Sequence, residues 1–187
     1  MKSFKYLFLL MIALTVLSSH DRQKGIRHDL NKALTWDDFK GRVDRGSKFA
    51  ANTTSGFNYN ASMVGDSMRI ILPAIFNPRE SWVKKKQKSA YLLKHEQVHF
   101  DITELYVRKM RKEILSKNYT LKKFNKSVSK ILKKYSRETN SFQNSYDKET
   151  KHSVNKDAQA KWNALIEKEL MKLDEFKNPI LMVPVEL

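Results

Sequence analysis

The sequence predicts an α+β fold: a small antiparallel β-sheet or hairpin followed by a helical half. Between residues 47 and 76 apolar side chains alternate with polar ones, the period of a half-buried strand. Beyond residue 77 they recur at steps of three and four, which places them on one face of a helix. The period changes once and no segment repeats, so the chain reads as strands first and helices afterwards.

Each element has its own local signal. "LTWDDFKGR" (residues 34–42) reads as a short turn or helical entry, with Trp36 and Phe39 as core anchors. Phe57, Tyr59, Ala61 and Met63 then alternate, "VGDS" makes a turn, and "MRIILPAIF" resumes the extended chain, which together predict a hairpin. Pro73 cannot donate to a ladder, so the second strand is expected at an edge. "NPRE" (77–80) offers an N-cap, a proline at the first helical position and an early glutamate, opening a long helix expected to reach about residue 117.

A second helix is predicted over about 120–142, where Leu121, Phe124, Val128, Ile131, Leu132 and Tyr135 share a stripe. The polar run "QNSYDKETKHSVN" (143–155) predicts a loop. A third helix follows over about 156–173, with Ala158, Trp162, Leu165 and Ile166 inward. The tail "NPILMVPVEL" is apolar, broken by prolines, and expected to be extended.

The 187 residues are enough for one domain with a sizeable core, expected over 20–187. Ahead of it, "MKSFKYLFLLMIALTVLSSH" has two lysines, a short apolar run and small residues. That pattern predicts a signal peptide over 1–19 and a secreted or periplasmic protein. The chain has no cysteine, so disulfides cannot hold the exported domain together. The net charge of +16 fits an anionic cell-envelope surface as a partner. The lysines are scattered over several helices without a basic, aromatic-interleaved motif, which argues against specific nucleic-acid binding.

The chemistry concentrates in "LLKHEQVHFDITELYVRKM" (92–110). Only five histidines occur in the chain, and two of them, His95 and His99, stand one helical turn apart on the stripe with Leu92, Ile102 and Tyr106. An inward imidazole needs a partner. Two imidazoles at i and i+4 can grip one ion, and zinc accepts nitrogen at about 2.0–2.1 Å with three protein ligands and a water. Glu96 would then overhang the open position as the general base of a zinc-dependent hydrolase.

A third ligand has to come from elsewhere. Glu104 is turned away from the pair on a straight helix, and the extension that would place a histidine at Leu105 is absent. His152, in the predicted loop, remains as the candidate. Its neighbours Tyr146 and Asp147 offer a phenol to steady an oxyanion and a carboxylate to orient a ring.

The segments "LTWDDFKG", "SWVKK", "LLKHEQVHFDITELYVRKM" and "YDKETKH", in this order, resemble the bacterial domain-of-unknown-function family 922, which is grouped with the zincin metallopeptidases. The resemblance runs from about residue 34 to 162 and implies a zincin-like, secreted or periplasmic zinc-dependent protease acting on a protein or peptide substrate. Matched motif by motif, it implies His95, His99 and His152 as metal ligands and Glu96 as the catalytic residue. Ser153 departs from the pattern, which leads one to expect glycine there. The other reading of the same residues is a basic cell-envelope binding protein with a structural or vestigial zinc site.

Overall fold

The computed structural model describes residues 25–29 and 31–186. The predicted leader, 1–19, lies outside them. The architecture is α+β, as the sequence predicts. The strands come first: β1 (Ile26–Arg27), β2 (Ala51–Asn52), β3 (Ser55–Phe57), β4 (Asn60–Val64), β5 (Ser67–Ile71), β6 (Ala74–Phe76) and β7 (Trp82–Val83). Three helices follow, α1 (Ala90–Leu115), α2 (Leu121–Thr150) and α3 (Lys156–Lys172), and the chain closes with β8 (Ile180–Pro184).

Pairing between these strands is antiparallel, in the orders β1-β6-β3, β4-β5-β8 and β2-β7, and one isolated parallel bridge joins Thr120 to Glu186. The expected hairpin is β4–β5, closed by Gly65 and Asp66 in register Val64↔Ser67, with Gly65 at φ +60 as the tight turn requires. The expected edge is not where Pro73 pointed. Pro73 falls in the gap between β5 and β6, and β5 is the central strand of its sheet because the extended tail adds β8 to it.

The long helix begins later than its proline signal suggested. Residues 77–80 form a turn packed under Gly41, whose amide donates to the Ser81 carbonyl at 2.8 Å, and β7 follows. Ser89 is the actual N-cap, its hydroxyl accepting from the Leu92 amide at 3.1 Å. The core explains why α1 dominates. One apolar cluster, with Ile70, Phe76, Phe100, Val107, Ile114 and Leu181, fills the space between sheet, α1 and α2. A second, with Val98, Ile102, Leu105, Tyr146, Trp162 and Ile166, fills the space between the three helices. Sixteen of the 26 residues of α1 are buried, so this helix is a central strut covered on two sides, not a one-faced surface helix.

The buried polar groups on α1 are matched. Glu104, 4% exposed, takes Arg108 Nε and Arg111 Nη1 at 2.9 Å each, and the two guanidiniums reach the carbonyls of Leu170, Leu72 and Phe176. Burial lowers the pKa of Arg111, and the charge of Glu104 opposes that shift. Gln97 accepts the Leu34 amide at 2.7 Å and donates to Asp101, which also meets His28 at 2.9 Å. These bonds hold the N-terminal segment on the helix. Among the described residues no helix is long and apolar enough to cross a membrane.

Candidate metal centre

His95, Glu96 and His99 lie in the N-terminal half of α1, where the spacing turns both imidazoles to one side. The element that faces them is α2. The polar run 143–155 was expected to be loop, yet α2 continues through Thr150 and leaves only the turn 151–155. Polar residues extend a helix when one side of it has polar partners to meet. Here Gln143, Tyr146 and Asp147, at helical spacing, all turn toward α1.

Ligating atoms of His95, His99 and Asp147 all lie within 4.8 Å of one another. Asp147 Oδ1 is 3.2 Å from His95 Nε2 and 3.0 Å from His99 Nε2, and the two Nε2 atoms are 3.3 Å apart. The outer ring nitrogens decide what these atoms can do. His95 Nδ1 meets Gln159 Oε1 at 2.7 Å, and His99 Nδ1 meets Gln143 Oε1 at 2.5 Å.

Both amides have their orientation set by their own donor ends. Gln143 Nε2 donates to the His99 carbonyl at 2.8 Å, and Gln159 Nε2 donates to the Tyr146 hydroxyl and to Asn163 Oδ1. Each Nδ1 therefore carries a proton and donates it, which leaves each Nε2 with a lone pair when the ring is neutral. Three acceptors converge on one point, a set that a single metal cation could satisfy. Two imidazole nitrogens and a carboxylate oxygen suit zinc, so the residues fit the ion. Among the described residues no other group of histidines and carboxylates converges in this way.

Charge runs the same way. Burial works against protonation of His99, but the hydrogen bond and charge of Asp147, with the charge of Glu96, outweigh it and raise the pKa. Burial likewise works against ionised Asp147, yet the bonds to His95 and His99 hold its carboxyl well below the usual carboxylate range.

Glu96 lines the same cavity of about 380 Å³, its Oε2 accepting from the Thr53 hydroxyl at 2.7 Å. Beyond Thr53 the wall is β3, which among the described residues pairs with β6 on one side only. A Cβ built at Gly56 would meet nothing within 4 Å, so the strand faces open space.

The other candidates stand as follows. The sequence reading put His152 in the third position and Asp147 behind it as an orienting group, whereas the atoms that converge are those of His95, His99 and Asp147. His152 lies in the turn past the end of α2, 47% exposed, with Nδ1 3.5 Å from Asp147 Oδ1 and its ring 4.5 Å from Phe49. It lines the cavity rim without joining the group. Tyr146 is turned away from the oxyanion role considered for it. Fully buried and stacked on His95 at 4.7 Å, it donates to the His95 carbonyl at 3.2 Å, and burial pushes its phenol pKa up.

Lys151, His152 and Ser153 have φ of 49, 51 and 71, a left-handed run that costs non-glycine residues about 1–2 kcal/mol each. The glycine expected at 153 would relieve the last of these. Gln143 and Gln159 carried no signal in the sequence. Only the helix continuing to Thr150 and the packing of α3 bring them to the rings.

Fold and site together define an α+β protein with a two-histidine, one-carboxylate group on the wall of a cleft beside a sheet edge. The chain belongs to the family described as bacterial protein of unknown function (DUF922), whose model matches residues 26–153 and so spans the whole candidate ligand group. Neither a curated protein nor a solved structure matches the chain.

Proposed function

We propose that this protein is a secreted or periplasmic zinc-dependent hydrolase, a metallopeptidase that cleaves extended peptides in the cleft beside β3. One observation carries the reading: three acceptors oriented for a single cation stand next to a carboxylate that is not one of them. Zinc held by His95, His99 and Asp147 supplies Lewis acidity, which activates water and polarises a carbonyl near neutral pH. Glu96 accepts the proton of the attacking water and returns it to the leaving nitrogen. Thr53 keeps the Glu96 carboxylate at the cleft wall through its hydroxyl. The open edge of β3 offers its backbone groups to an extended substrate.

Glu96→Gln tests the reading. The variant is expected to keep one zinc per chain by elemental analysis and to lose at least about a hundredfold in peptide hydrolysis, the scale of a general base. Equal turnover by variant and parent on a peptide that the parent cleaves overturns it.

A second reading has one observation in its favour. His152 stands 3.5 Å from Asp147, close enough for a small turn movement to add a fourth protein ligand. A site closed in this way is structural, and the protein is then a basic cell-envelope binding protein. Zinc absorption spectroscopy separates the two: three protein ligands with one light oxygen favour the enzyme, and four protein ligands favour the binder.

A further inference from the structure

We propose that the cleft selects peptides with acidic side chains on one side of the scissile bond; this rests on the hydrolase reading above. The main cleft does not end at the metal group. It runs along β3 and α2 past Phe57 and Ser136, and those two residues also line a second recess together with Leu132, Lys133 and Arg137. β3 leads in the same direction: Thr53, just ahead of the strand, touches Glu96, Ser55 meets Thr103 at 2.7 Å, and Phe57 reaches the recess. A chain laid along the strand edge from the metal group arrives between Lys133 and Arg137.

These two cations are free to act on it. Both are exposed, and among the described residues neither forms an ion pair. The neighbouring Lys134 is taken by Glu113 at 2.8 Å, and Glu138 acts on Tyr106 and Lys109. No aspartate or glutamate occurs on α2 from residue 121 to 137. The net charge of +16 draws anionic chains toward the molecule, and the two residues at the recess give that attraction a position.

The position follows from helix geometry. Arg137 and Lys133 precede Asp147 on α2 by 10 and 14 residues. At about 1.5 Å per residue this is roughly 15–21 Å, or roughly four to six residues of extended chain. Acidic side chains are therefore favoured about five residues from the cleaved bond.

The test uses the zinc-loaded full chain carrying Glu96→Gln and fluorescein-labelled dodecapeptides of Ala, Ser and Leu. A Glu-Glu or a Lys-Lys pair is set near one end or the other, and binding is read by fluorescence anisotropy. The Glu-Glu peptide with the favoured polarity is expected to bind roughly tenfold more tightly than its Lys-Lys counterpart, the scale of two surface charge contacts. Lys133→Glu with Arg137→Glu is expected to reverse that preference. Lys122→Glu with Lys126→Glu, the same charge change farther along the helix, leaves it in place.

An equal effect of both pairs of variants overturns the proposal in favour of net charge alone. Binding to phosphatidylglycerol vesicles with none to any peptide overturns it in favour of a lipid surface. Charge-selected binding without any cleavage by the parent sinks the hydrolase reading and leaves this one. Cleavage indifferent to acidic residues does the reverse.

Discussion

Asp147 is the residue on which the candidate metal centre turns. One of its oxygens meets two imidazole nitrogens, whereas His152 touches the group only through that same oxygen. Asp147→Ala is therefore expected to lose most of the bound zinc. His152→Ala is expected to retain it on dialysis, with at most a modest fall in affinity. The measurement is zinc stoichiometry of each purified variant, with melting temperature alongside. If His152→Ala empties the site while Asp147→Ala stays full, the histidine is the third ligand and the aspartate only orients it.

The helices show how differently two charged clusters on one element contribute. Glu104 is buried with Arg108 and Arg111, and these three side chains link α1 to α3, to the turn beyond it and to the end of β5. Glu104→Ala would leave the buried Arg111 guanidinium without a carboxylate and Arg108 with only the half-exposed Asp174 at 3.6 Å. It is expected to destabilise the fold by about 3–5 kcal/mol in chemical denaturation, although it touches no candidate ligand. A loss below about 1 kcal/mol would mean that water reaches the arginines.

Glu113, farther along α1, is different. Hydrogen bonds from Lys117 and then Lys134 hold its pKa down to about 2 against 4.5. A lowered carboxylate pKa contributes stability that is present above pH 4.5 and lost as pH falls through about 2. The group is near the surface, so the amount stays under about 1 kcal/mol. Glu113→Gln is expected to be slightly less stable than the parent at neutral pH and equal to it near pH 2, by denaturant titration at each pH.

Across the whole molecule the candidate site works as a clasp. Its candidate ligands come from α1 and α2, Gln159 of α3 meets one ring, and β3 walls the cleft. Binding to an arrangement that exists only in the folded chain stabilises the fold by mass action, about 4 kcal/mol at a thousandfold excess of ligand over Kd. For a chain of this size that is roughly 10 °C in melting temperature. Chelation by EDTA is expected to lower the melting temperature of the parent by about that much and to leave His95→Ala unmoved. An equal response of the two proteins means that the metal sits elsewhere or does not bind.

The order of sheet and helices was legible in the sequence, because period two and period 3.6 are local properties that burial imposes on any strand or helix. The same holds for His95, Glu96 and His99: a spacing of four residues on a helix is itself a geometry. The start of α1 was misread because the proline at 78 is an equally good turn residue, and only the contact of the 77–80 turn with Gly41 settles which it is. The convergence of Asp147 on the two histidines was legible only in part: the sequence marked it as a carboxylate that could orient a ring, not as a member of the group. Asp147 lies 48 residues from His99 in the chain, in a segment whose composition reads as loop. It becomes a neighbour of His99 only because α2 continues for two more turns and packs on α1 in one register. That register is set by the apolar clusters on either side of α1, so packing across the whole fold, and no local pattern, decides which carboxylate faces the histidines.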